Sequence, residues 1–219
     1  MKKIFFALLG LILLPIVAVT FESFFFSISR IQKIDSGFWY FLAGAGIFVL
    51  LSRWGFLKRL YVFSHEWSHA LFSWVMGGKI RKIKVTERSG WARVTFTNFL
   101  VELAPYFFPL LAVFFSLLYF ISIVLKPSFK VYQQIYFGAL GFSLLLHFQG
   151  NYQALKIKQS DLASKGRFFS LIFISWVNVL FLFFFVKLVF WKTVSLTVFF
   201  RRIVFGLQKA WQYVNMFNN

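Results

Sequence analysis

The chain has 219 residues, of which 60% are hydrophobic, 23% aromatic and only 14% charged. No soluble domain has an interior large enough for that much apolar surface, so lipid must be the solvent for much of it. The net charge of +18 comes from 24 Lys and Arg against 6 Asp and Glu. The basic residues sit in short clusters between uncharged runs, as juxtamembrane loops do, which argues against nucleic acid as a partner and for anionic membrane lipids. There is no Cys, so a zinc site in this chain must be built from His and carboxylate.

Lys2 and Lys3 precede an uncharged run, residues 4–21, long enough to cross the hydrocarbon core as a helix despite Pro15. No small-x-small cleavage site precedes a polar start, so a retained first helix is expected rather than a signal peptide. Arg30, Lys33 and Asp35 mark a short connection. Residues 36–52 form a second uncharged run, in which Gly44 and Gly46 are placed for close helix approach. Arg53, Lys58 and Arg59 mark the next boundary.

Residues 60–76 then read as a helix that Gly77-Gly78 stops. It carries His65-Glu66-Trp67-Ser68-His69. Four residues apart on a helix, His65 and His69 share one face, where two imidazoles can reach one metal ion. Glu66 is turned to the side on which a bound water would sit. Two nitrogen ligands, a third ligand from elsewhere and a carboxylate base beside an open coordination position are the parts of a zinc hydrolase. At this chain's own His and Glu frequencies the pattern arises by chance roughly one time in a thousand, and it uses two of the three histidines. The competing reading is a pair of histidines packed in a buried helix with no metal.

Residues 79–97 alternate in character and read as a β-hairpin turning at Glu87-Arg88-Ser89-Gly90. Such a hairpin is either a solvated basic loop or a clamp whose open edge holds an extended peptide. Residues 98–125 are the third clear membrane segment, interrupted by Glu102 and shaped by Pro105 and Pro109. A tight turn is expected at 126–130. Residues 131–155 carry His147 but no Lys, Arg, Asp or Glu, and become polar at Gln149-Gly150-Asn151-Tyr152-Gln153. A basic link, 156–167, contains Asp161 and Gly166. Residues 168–186 are strongly apolar, and 195–217 form a basic, aromatic tail expected along the membrane interface.

The third ligand has three candidates, Asp161, His147 and Glu102. Glu102 lies near a membrane end, where pairing with a Lys or Arg also accounts for it. His147 and Asp161 would be ~21 Å apart on an unbroken helix at about 1.5 Å per residue, so both could bind one ion only with a break near Gly150. Spacing leaves both open.

The stretch His-Glu-Trp-Ser-His-Ala-Leu-Phe-Ser-Trp-Val-Met-Gly-Gly, from His65 to Gly78, resembles the metal-binding helix of site-2-protease-type intramembrane zinc metallopeptidases. In that family a β-hairpin follows the helix, and a later membrane helix carries Asn and Pro near the site. Asn98-Phe99-Leu100 and Leu103-Ala104-Pro105-Tyr106-Phe107-Phe108-Pro109 are similar to that element. The resemblance covers residues 57–185 or so. It implies Zn2+ held by His65, His69 and an aspartate, with Glu66 as general base and Asn98 as hydrogen-bond donor to the developing oxyanion. Asp161 in Gln159-Ser160-Asp161-Leu162 fits the aspartate best, although the usual following Gly is missing, and His147 is the alternative. The implied substrate is a membrane-embedded or membrane-adjacent protein or peptide segment. The resemblance is to a divergent bacterial-type member, which implies a multi-pass protein of the bacterial inner (cell) membrane.

The expected architecture is an all-α polytopic membrane protein of about five to six transmembrane helices, with a short β-hairpin after the metal-binding helix and an interfacial C-terminal helix. It divides into N-terminal membrane helices at 1–56, a metallopeptidase core at 57–191 that includes the hairpin 79–97, and a basic amphipathic tail at 192–219. The basic loops at 79–93 and 156–167 both favour the cytoplasm. Counting back through two crossings leaves Lys2 and Lys3 outside, so either the first segment does not cross fully or an upstream run is re-entrant. Two competing functions are a prenyl-protein-type membrane metalloendopeptidase, with a glutamate as third ligand, and a non-enzymatic transporter or binding protein with structural histidines.

Overall fold

The structure, a computed structural model, describes residues 2–87, 89–125, 130–156 and 159–216. In chain order the elements are α1 (Lys2–Ser29), α2 (Ser36–Leu51), α3 (Gly55–Val75), β1 (Ile80–Val85), β2 (Gly90–Val94), α4 (Phe99–Phe107) and α5 (Leu110–Leu125). They continue with α6 (Lys130–Lys156), α7 (Ser160–Ser164), α8 (Arg167–Val189) and α9 (Leu196–Met216). The tight turn expected at 126–130 falls, but for its last residue, outside the described residues, as does Arg88 of the hairpin turn. The chain forms two compact units, one of residues 1–35 with 163–219 and one of residues 36–162.

In the first unit α1 packs against α8 and α9. Pro15 lies within α1 and does not end it. Ile4, Phe5, Leu8, Leu11 and Ile12 are exposed on α1, the surface expected of a helix whose solvent is lipid. The tail helix α9 is amphipathic as read from its sequence, and much of its apolar surface, including Val204, Phe205 and Trp211, is exposed. Phe199 is fully buried and stacks on Phe183 with ring centroids 3.6 Å apart. Arg202 pairs with Glu22 at 2.9 Å and covers the Phe26 ring.

In the second unit α2 crosses α6 with backbone against backbone. A Cβ on Gly44 would run into the Gly138 carbonyl, and one on Gly141 into the Phe41 carbonyl. Gly46 was expected to share this role, but it faces open space. Two residues along a helix turn the side-chain direction by about 200°, so Gly44 and Gly46 cannot serve the same neighbour. Gly44→Leu is therefore expected to destabilise the protein by about 1–3 kcal/mol through overpacking, and Gly46→Leu to be near neutral. Thermal unfolding of the detergent-solubilised variants checks this.

Two described helices, Lys3–Ser29 and Arg167–Val189, are long and apolar enough to cross a membrane. The pairs α2 with α3 and α4 with α5 pass that test only together, and they are bent by 114° and 75°, so the count rises to four if each pair is one span. The expected five to six crossings treated each apolar run as separate. The second bend falls at Phe108-Pro109, where Pro has no N–H with which to continue the helix. The bend between α2 and α3 is of the kind a broken span or re-entrant loop would show, and a re-entrant upstream run was one of the two alternatives that the charge pattern left open.

Helix α3 starts at Gly55, so Lys58 and Arg59 belong to its first turns rather than to the preceding loop. It ends as expected at Gly77, whose φ of 85° needs a residue without Cβ. The backbone N–H of Gly78 returns to the Ser73 carbonyl at 2.8 Å. The chain then enters the hairpin, paired antiparallel from Ile80 with Val94 to Val85 with Gly90, with an irregularity between Ile80 and Lys82. Both strands pack on α3.

Candidate metal centre

On α3 the His65 and His69 rings lie edge to face with centroids 5.1 Å apart. Helix α6 runs past Gly150 to Lys156 without the break that was considered there. The chain turns back only afterwards, and the short helix α7 returns Asp161 to the histidines. His69 Nε2 then stands 3.7 Å from Asp161 Oδ2. Donor atoms of His65, His69 and Asp161 all lie within 4.8 Å of one another, a group that could hold a metal ion. Ligands about 2.1 Å from a tetrahedral ion are roughly 3.4 Å apart, so the widest pair would have to close by no more than about 1.4 Å, within reach of side-chain rotation.

Each donor has a second partner that orients it. His69 Nδ1 lies 2.7 Å from the Val101 carbonyl, so it carries the proton and donates, which leaves the Nε2 lone pair directed at Asp161. His65 Nδ1 is 3.4 Å from the hydroxyl of Tyr61, one helical turn earlier. Tyr106 donates to Asp161 Oδ2 at 3.4 Å and sets its ring edge to face with His65, centroids 5.3 Å apart. Val101 and Tyr106 both belong to α4, so the placement of α4 matters.

Asn98 fixes that placement. Its Oδ1 accepts from the Val101 N–H at 3.0 Å, capping α4, and its Nδ2 donates to Met76 Sδ at 3.2 Å. The residue to which the resemblance assigned an oxyanion role thus ties the start of α4 to the end of α3. His147 is buried on α6, 3.0 Å through Nε2 from Asn151 Nδ2, which also donates to the Tyr106 carbonyl at 2.7 Å. An amide nitrogen only donates, so His147 Nε2 is the acceptor and its lone pair is occupied. Glu102 sits in the first turn of α4, where a carboxylate meets the positive end of the helix. Among the described residues the converging group contains Asp161 and neither His147 nor Glu102.

Glu66 is buried beside His65, with 8% of its surface exposed. The hairpin closes over it. A Cβ on Gly90 would lie 2.7 Å from Glu66 Cγ, so this close approach of β2 requires glycine. The backbone of Ala92, two residues further along β2, also lies close to the Glu66 carboxylate.

Residues 38–146 match the family model described as Peptidase M50B-like. The chain belongs to the M50B-like peptidases. The matched span includes His65, Glu66, His69 and Asn98 and stops short of His147 and Asp161. Comparison with curated proteins and with solved structures gives no match.

In this M50B-like chain the orienting residues Tyr61, Val101, Tyr106 and Asn151 and the close-approach Gly90 escaped the sequence reading. Only Tyr61 left a trace, four residues before His65 and so on the same helix face. Val101 acts through its carbonyl, which no side-chain pattern reports, and the others meet the centre through contacts distant in sequence.

Proposed function

We propose that this protein is an intramembrane zinc metalloendopeptidase that hydrolyses peptide bonds of membrane-embedded or membrane-adjacent protein segments. The convergence of His65, His69 and Asp161 next to the buried Glu66 carries this reading. His65, His69 and Asp161 would hold Zn2+, whose chemistry is to acidify water and polarise a carbonyl. Glu66 takes the proton of the attacking water and passes it to the leaving amine. Val101, Tyr61 and Tyr106 keep the donors aimed inward. Asn98 would turn its amide from Met76 Sδ, a weak acceptor, to the developing oxyanion.

A peptide bond inside a helix is hidden by its own hydrogen bonds, so the substrate must be extended where it is cut. The outer edge of β2 beside Glu66 suits that. Membrane lipids would cover α1 and α8, in a multi-pass protein of the bacterial inner membrane. A prenyl-protein-type enzyme would bring a glutamate as third donor, whereas the carboxylate in the converging group is Asp161.

Protein purified in detergent is expected to carry about one zinc per chain. Treatment with 1,10-phenanthroline should remove it and abolish cleavage of fluorescein-labelled casein, and added zinc should restore both. Absence of stoichiometric zinc would end the reading.

A further inference from the structure

A cavity of about 560 Å³ borders the metal centre on the side of His65 and Glu66. The hairpin contributes Glu87, Ser89 and Gly90 to its lining, and α6 contributes Gln149 and Gln153. Four residues apart, the two glutamines rise from one face of α6. Among the described residues neither amide has a hydrogen-bond partner. Gln149 is half-buried and Gln153 exposed where α6 turns polar, so both amides are accessible to a molecule that enters the cavity.

The spacing says what would use them. Two side chains one turn apart are displaced by about 6 Å along a helix axis. In an extended peptide, backbone groups facing the same side recur every two residues, about 6.6 to 6.8 Å apart. An amide side chain offers a donor and an acceptor together, matching the N–H and C=O of a peptide. A prenyl chain would leave both amides unsatisfied, and an intact helix has no free backbone groups to offer them.

We propose that Gln149 and Gln153 are specificity-determining residues that hold the backbone of an extended, membrane-adjacent peptide segment in this cavity, beside Glu66. This rests on the peptidase reading and names the substrate class it would take. It also separates from that reading experimentally, because binding can be measured without cleavage.

The probe is fluorescein-labelled casein, an unfolded chain, with anisotropy read in the Glu66→Gln background and cleavage in the parent. Replacing Gln149 and Gln153 together by Ala is expected to weaken binding about tenfold and to raise KM alike, with kcat within twofold and zinc content unchanged. Gln153→Asn, keeping an amide on a shorter arm, should recover part of the loss relative to Gln153→Ala. Unchanged binding in the double variant, no binding by the Glu66→Gln protein, or a loss confined to kcat would overturn the proposal. Weakened binding with no cleavage by the parent would leave it standing while removing the peptidase reading.

Discussion

Replacing Glu66 by Gln is expected to lower cleavage of labelled casein by about two to four orders of magnitude while zinc stays bound, the range a positioned general base contributes. The amide has the shape of the carboxylate, so the fit against Gly90 and β2 is kept, yet it cannot accept the proton of the attacking water. Glu66 lies outside the group of converging donors, so metal content should not follow activity. Ala is the poorer choice, because a cavity left under the hairpin would confuse lost chemistry with lost packing. Initial rates together with zinc content on the same samples decide the matter. Activity within tenfold of the parent would remove Glu66 from the mechanism.

Replacing Asp161 by Ala should weaken zinc binding by more than about a hundredfold, beyond the tenfold to hundredfold typical of losing an outer hydrogen-bond partner. His147→Ala should keep zinc and instead lower the unfolding temperature, because Asn151 loses its acceptor and its hold on the Tyr106 carbonyl loosens. The two variants thus separate a ligand from a packing residue through different readouts, zinc titration and thermal unfolding. Zinc retained in Asp161→Ala and lost in His147→Ala would reverse the assignment of the third ligand.

The legible parts of this protein are those set by local rules. His65 and His69 fall on one face because a helix repeats every 3.6 residues, and Gly77 ends that helix because only glycine takes its backbone angle without strain. Alternating residues after it made the hairpin visible. The helix bends were less legible. Apolar runs report only what lipid or a core will accept, and a run bent at Phe108-Pro109 has much the same composition as a straight one.

For the site, residue types and a single helical spacing supplied His65, Glu66 and His69. They also reduced the third ligand to a short choice, since six acidic residues and three histidines were all the chain offered. The choice itself depended on where the chain turns after α6, and a turn that brings Asp161 back to α3 is a long-range contact with no local pattern. The same holds for the partners that aim the donors, Val101 through its carbonyl and Tyr106 through its hydroxyl. Sequence alone therefore determined that a helix with two histidines on one face sits among apolar runs. Tertiary structure decided which carboxylate meets it, because convergence of groups nearly a hundred residues apart is set by packing and not by spacing.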